Sequence, residues 1–210
     1  MTAERDLADM KYAIGQSVPR TEDPTLLRGE GRFTDDLTLP NQAHAVMVRS
    51  VHAHGLIRDI DISEAVDMPG VLAVLTGEDL KDYGGMPCGM QIKSRDGSPL
   101  KKPARPSLVL DKVRFVGDPI ACVIAETAAQ ARDAAEVVMV EIDALPAVTT
   151  AREAAAPGAP ELYEDVPGNV ALDFHFGDEA ATKAAFDGAT HVSRLDIRNN
   201  RIIVATMEPR

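Results

Sequence analysis

The chain has 210 residues, 45% apolar and 26% charged, with a formal net charge of -11. That length holds one large or two small domains with enough core to fold, and the balance is that of a globular protein in water. The acidic charge argues against broad nucleic-acid or membrane-surface binding, both of which need a basic field.

Aromatic residues are scarce at 4% and Trp is absent, so the core must rest on Val, Ala, Leu and Ile. The two cysteines, Cys88 and Cys122, are too few for a usual iron–sulfur cluster. They form no disulfide framework either, which points to a reducing cytoplasm. Cys122 lies in the apolar run Ile120 to Ala125 and reads as a buried thiol. The N-terminal MTAERDLADMKYAIGQ has no apolar h-region, so no secretory leader is expected. No stretch approaches the roughly 20 apolar residues of a membrane span.

Residues 1–30 are polar and turn-rich and read as an extended arm. Leu39-Pro40-Asn41 is a turn. Ala43 to Ser50 alternates as a strand, with Val46 and Val48 on one face and Ala45 and Met47 on the other. Leu56 to Ile62 is a second strand, with Leu56, Arg58, Ile60 and Ile62 set against Ile57, Asp59 and Asp61. Ser63 to Val66 makes one helical turn, closed by Met68-Pro69-Gly70. Val71 to Leu75 is a third strand, and Thr76-Gly77-Glu78-Asp79-Leu80 has capping-box spacing for a short helix.

Residues 81–107 are punctuated by Gly and Pro without period, which predicts a long surface excursion. Lys112 to Pro119 leads into the most apolar strand, Ile120 to Ala125. Thr127-Ala128-Ala129-Gln130 is a capping box for a helix with Ala128, Ala131, Ala135 and Val138 at helical spacing. Val138 to Ile142 is another strand, and 145–168 an Ala/Pro-rich connection. Asn169 to Phe176 reads as a strand and Asp178 to Phe186 as a helix with Asp178 as N-cap. Residues 190–198 read as a final long strand, and Ile202 to Ala205 as a β-branched run entering a core. Strands and helices mix without steady βαβ alternation, so the class is α+β.

Little in the pattern carries chemistry. His52 and His54 sit two apart, as metal ligands on one strand face can, and His44 lies nearby. No acidic or cysteine partner stands beside them, which favours histidines at a strand end. Gly84-Gly85-Met86-Pro87-Cys88-Gly89 lacks the Lys-Ser/Thr of a phosphate loop, and no GxGxxG follows a strand. Lys93, Arg95, Lys101, Lys102 and Arg105 form a basic run in an acidic chain, read as a solvated loop or as a dock for an acidic surface. No GxSxG or HExxH occurs. No catalytic residue and no metal ligand is assigned.

Several stretches taken in order nevertheless resemble one family. They are Ile14 to Pro24, Gly29 to Asp36, Val48-Arg49-Ser50 with His52-Ala53-His54, and Met68 to Val71 running into Leu75 to Leu80. Val113 to Ala121 and Leu145 to Val148 complete the set. Together they look like the N-terminal part of the large, molybdenum-binding subunit of the xanthine dehydrogenase, aldehyde oxidase and carbon monoxide dehydrogenase family. The pattern is nearest to carbon monoxide dehydrogenase-like large chains. Ile142 departs from it, since the family often has an aromatic before the acidic-Leu-Pro turn.

The resemblance implies an α/β-hammerhead with mixed sheets and short helices. It implies an N-terminal arm over 1–30, a hammerhead over 31–165, and the incomplete start of a molybdopterin-binding region over 166–210. Asn199 through Met207-Glu208-Pro209-Arg210 resembles the lead-in to that region. The family's catalytic glutamate and cofactor loops lie downstream of it. Glu208 and Arg210 are nearest the cofactor side by resemblance and are expected to hold a turn. The segment alone is expected to bind no cofactor. The completed subunit would carry molybdopterin in its cytosine dinucleotide form, with 2Fe-2S and FAD on partner subunits, in the cytoplasm. The alternative is a stand-alone hammerhead that binds or assembles without redox activity.

Overall fold

The computed structural model describes residues 20–197 and 199. They divide into two compact units, one holding residues 20–40 and the end of the described stretch, the other running Asn41–Asp196. The expected strand over Ile202 to Ala205 and the lead-in at Met207 to Arg210 lie outside the described residues. In the first unit, Asp23–Leu26 forms one helical turn (α1), within the stretch expected as an extended arm. Pro24 in the first turn and an Asp23 carboxylate accepting from the Arg20 N–H at 3.2 Å account for it.

The second unit holds six strands: β1 (His44–Arg49), β2 (Gly55–Asp61), β3 (Val71–Thr76), β4 (Lys112–Val113), β5 (Pro119–Ala125) and β6 (Met139–Ala144). Its helices are α2 (Ser63–Val66), α3 (Gly77–Leu80), α4 (Ala128–Glu136), α5 (Ala151–Ala154) and α6 (Glu179–Asp187). The strands form two antiparallel three-stranded sheets, ordered β1-β5-β3 and β4-β2-β6. This is the α+β mixture expected. β5 lies between two neighbours, which is why its apolar run is nearly continuous: Ile120, Ala121, Cys122, Val123 and Ala125 are all buried. Burial also pushes the Cys122 thiol upward in pKa, so it remains protonated and unreactive.

β1 alternates as expected, with Val46 and Val48 inward. β2 does not. A register shift between Ile57 and Asp59 leaves Arg58 as the extra residue. The bulge brings Ile57 and Ile60 onto one face, where strict alternation would separate them. Both pack with Val109, Val113 and Ile120. The Arg58 guanidinium points outward to the Asp143 carboxylate.

The helix α4 is capped as expected, with Thr127 Oγ1 accepting from the Gln130 N–H at 3.2 Å. Its most buried residues are Ala131 and Ala134, and Ala134 joins Ala65, Val74, Val123 and Val138 in one cluster. Gly70 (φ 82°) admits the Gln130 side chain, since a Cβ there would stand 2.1 Å from its amide nitrogen. Ile60 and Val140 touch both hydrophobic clusters and join the cores beneath the two sheets.

Two expected strands are absent. Asn169 to Phe176 makes no ladder; it begins with a 3-10 turn at Pro167–Asn169 and continues as irregular chain. Its backbone bonds go to the excursion, with the Arg95 N–H donating to Asp173 O at 2.8 Å and the Lys101 N–H to Ala171 O at 3.0 Å. Residues 190–197 form no strand either, and Val192, Leu195 and Ile197 are exposed. A β-branched run becomes a strand only where an edge accepts its backbone groups. Neither segment pairs with an edge of the two sheets among the described residues. The α6 helix is as expected, with Asp178 Oδ1 accepting from the Ala181 N–H at 2.9 Å.

Ile120 is 1% exposed, so Ile120→Ala is expected to cost about 3 kcal/mol in urea unfolding with an unchanged slope. Leu72→Ala, on the exposed face of β3, should cost less than about 0.5 kcal/mol. The turn carboxylates make a second test. Asp61 is held below the usual Asp range by the Ser63 hydroxyl and N–H, Asp79 by the Thr76 N–H and hydroxyl, and Asp96 by the Ser98 hydroxyl and N–H. A carboxyl lowered on folding stabilises above its unfolded pKa, and that contribution fades as pH falls through the folded value. NMR titration of the three carboxyl carbons should give midpoints below those of the unfolded chain; midpoints at or above them would refute these turns.

Candidate functional site

Two of the stretches quoted for the resemblance, Val48-Arg49-Ser50 and Val113 to Ala121, are far apart in sequence and meet in space. The Arg114–Pro119 loop folds back on the turn that follows β1. The Gly117 N–H donates to Ser50 O at 2.7 Å, the Ser50 N–H donates to Asp118 O at 2.9 Å, and Arg49 Nη1 donates to Gly117 O at 2.9 Å. Gly117 has φ 92°, so the turn requires glycine there. Asp118 is buried, and its Oδ2 accepts from the Arg114 N–H at 2.9 Å. Ser50 is buried too: its Oγ donates to His52 O at 2.8 Å and accepts from the His52 N–H at 3.0 Å.

Arg114 turns its charge inward. Its Nε donates to Leu162 O at 3.0 Å, its Nη1 to Lys112 O at 3.1 Å, and the guanidinium lies 4.7 Å from the Tyr163 ring centroid. This ties the 145–168 connection to the β4–β5 loop. The segment is further pinned by Asn169, whose amide donates to Ala154 O and Pro160 O at 2.9 Å each. Arg114 and Tyr163 are 49 positions apart, and nothing in the local pattern marks them as partners. The lead-in from Lys112 to Pro119 was the readable part.

The three histidines do not converge on a metal. His54 is 5% exposed, and its Nδ1 lies 2.7 Å from Pro146 O. A carbonyl only accepts, so Nδ1 donates in this bond. Nε2 is buried with no hydrogen-bond partner. His52 is half-buried in the Ser50 turn, and His44 is half-buried on β1. Among the described residues no three His, Cys, Asp or Glu side chains gather to hold a metal ion. His52 is bonded within the Ser50 turn and His54 to Pro146.

Gly84 and Gly85, at the start of the glycine run, line a cleft of about 440 Å³ with Leu80, Lys81, Asp111, Arg114 and Tyr163. Gly85 bridges to Pro106, and a Cβ on it would stand 2.6 Å from Arg105 O. Gly85 therefore serves backbone packing, whereas a Cβ on Gly84 or Gly89 would meet open space. The basic run is exposed. Part of it lies on a small hairpin in which the Ser94 N–H donates to Ser98 O at 2.8 Å and the Leu100 N–H to Ile92 O at 3.0 Å.

Comparison with known proteins bears on what this arrangement serves. The family model for the aldehyde oxidase and xanthine dehydrogenase a/b hammerhead domain matches residues 28–146. The nicotine 6-hydroxylase large subunit of Paenarthrobacter nicotinovorans is 37% identical over 202 residues, covering 95% of this chain and 24% of that protein. The carbon monoxide dehydrogenase large chain of Hydrogenophaga pseudoflava is 37% identical over 208 residues, covering 88% and 24%. The solved structure of Cu,Mo-CO dehydrogenase in its carbon monoxide-reduced state matches with a TM-score of 0.65 at 32% identity, over 84% of this chain and 23% of that one. The chain thus spans about a quarter of the length of the curated relatives it matches.

Asp118→Ala strips the buried acceptor from the Arg114 N–H, at an expected cost of about 1–3 kcal/mol. Arg114→Lys keeps the charge but loses the fork and the ring stacking, and should cost about 1 kcal/mol. Urea unfolding checks both. Amide exchange should show the Gly117 and Ser50 N–H groups losing protection in Asp118→Ala.

Proposed function

The chain belongs to the aldehyde oxidase and xanthine dehydrogenase a/b hammerhead family, and on that premise we propose that it is the N-terminal hammerhead part of a molybdenum hydroxylase large subunit. The alignment along 95% of its length with a large subunit carries the proposal. Its own role is scaffold and interface. The Ser50 and Asp118 side chains brace their own turns, and His54 Nδ1 ties the turn after β1 to Pro146. Such bonds support the reading of these groups as positioning structure.

No cofactor contact is assigned to the described residues, among which no three His, Cys, Asp or Glu side chains gather. Molybdopterin, in its cytosine dinucleotide form, would be held by the remaining cofactor-binding portion of the large subunit. The 2Fe-2S and FAD groups would lie on partner subunits, and the assembly would work in the cytoplasm. Residues 31–165 would be the hammerhead and 166–210 the start of the molybdopterin-binding region. In such an enzyme the bound molybdenum supplies activated oxygen and takes up electrons from the substrate. None of the described residues is assigned a part in that step. No helix among them is long and apolar enough to cross a membrane.

Native mass spectrometry of the polypeptide purified from its own host, with molybdenum assayed on the same sample, tests the proposal. A larger assembly containing molybdenum is expected. A chain that runs alone and metal-free would sink the enzyme reading and leave a stand-alone hammerhead module.

A further inference from the structure

The 81–107 excursion is long, exposed and internally braced. Residues 81–90 are all exposed. Isolated bridges Gly85–Pro106 and Lys93–Pro99 close it at two levels. The Met86 N–H donates to Arg105 O at 2.8 Å, and Lys102 Nζ donates to Cys88 O at 3.1 Å. Holding a segment this way costs conformational entropy, yet the bracing buries little of its apolar surface. Met86 is 81% exposed and Val116, on the neighbouring loop, 65%. Phe115 is also on the surface, with the Arg105 guanidinium 5.4 Å from its ring centroid. Met86, Arg105 and Phe115 line one hollow together.

Charge sets this surface apart. Between Lys93 and Arg105 stand five cationic side chains and one carboxylate, Asp96, in a chain of net charge -11. Arg114 spends its charge inward, whereas Lys101, Lys102 and Arg105 are exposed. Exposed apolar side chains beside a cationic loop match the make-up of a protein interface, where an adaptable Met is common. An extended polyanion would be repelled by the acidic remainder of the chain. A folded partner that is acidic only locally would not.

We propose that the excursion is a docking surface for the acidic face of a companion protein subunit. The partner's carboxylates meet Lys101, Lys102 and Arg105, and its apolar side chains cover Met86, Phe115 and Val116. This rests on the reading of the chain as part of a multi-subunit enzyme and adds the chemistry of the contact.

The test uses the assembly purified from the host, treated with a carbodiimide that joins an amine to a carboxylate in contact. Mass spectrometry should find Lys101 and Lys102 joined to Asp or Glu of a different polypeptide. The yield should fall about tenfold at about 0.5 M salt, where the screening length shrinks to about 4 Å. The Lys101→Glu/Lys102→Glu/Arg105→Glu variant should keep its circular dichroism and bind the companion at least about tenfold more weakly. Lys183→Glu, on α6, should not weaken it. Where the triple variant fails to fold, the salt dependence of the unmodified cross-link decides. Cross-links only to this chain's own carboxylates or to a second copy overturn the proposal. So do a salt-insensitive contact and nuclease-released nucleic acid in place of a protein. A cross-linked acidic partner in a molybdenum-free preparation sustains the docking surface and sinks the hydroxylase reading. A molybdenum-containing assembly without these cross-links does the reverse.

Discussion

The second unit depends on the burial of β5. This strand pairs with β1 on one side and β3 on the other, and Ile120 packs beneath the second sheet while Val123 packs beneath the first. An unbroken apolar run can be stable only where both faces and both edges are covered. Ile60 and Val140 complete the arrangement by touching both clusters. The bulge at Arg58 follows from the same demand: without it, Ile57 and Ile60 would point to opposite faces and one would be lost from the core.

Around that core, polar groups are arranged to satisfy backbone. Ser50, Arg114 and Asp118 link the turn after β1, the β4–β5 loop and the later connection by hydrogen bonds of 2.7–3.1 Å. A buried donor or acceptor without a partner costs more than a formed bond returns, so these residues are needed for shape before any question of catalysis arises. This explains why motif-like stretches that look suited to chemistry, such as the histidine pair and the glycine run, prove to be parts of turns. His54 is the exception in one respect, since its Nε2 is buried without a partner.

In the proposed enzyme, a domain whose polar interior is used for bracing would contribute by presenting surfaces. The excursion is where this unit does so most plainly, because its backbone is tied down while its cations and apolar side chains face water. The hydrogen bonds from Arg95 and Lys101 to the 171–173 stretch show how that shape is held. A segment read as a strand gives up its ladder there to brace a loop.

The sequence by itself determined the α+β class, most element positions, the caps at Thr127 and Asp178, the buried Cys122 and the family. Each of these rests on local spacing, composition or an ordered set of short stretches, and local rules act on the chain wherever it lies. Tertiary structure alone decided the bulge in β2, the sheet orders, the Arg114–Tyr163 contact, and which extended runs found an edge. Val138 to Ile142 and Asn169 to Phe176 read alike as strands, yet only the first meets a partner, in β2, and begins one residue later as β6. Whether such a run forms a strand is set by the unpaired backbone of a distant segment, and no local pattern records that.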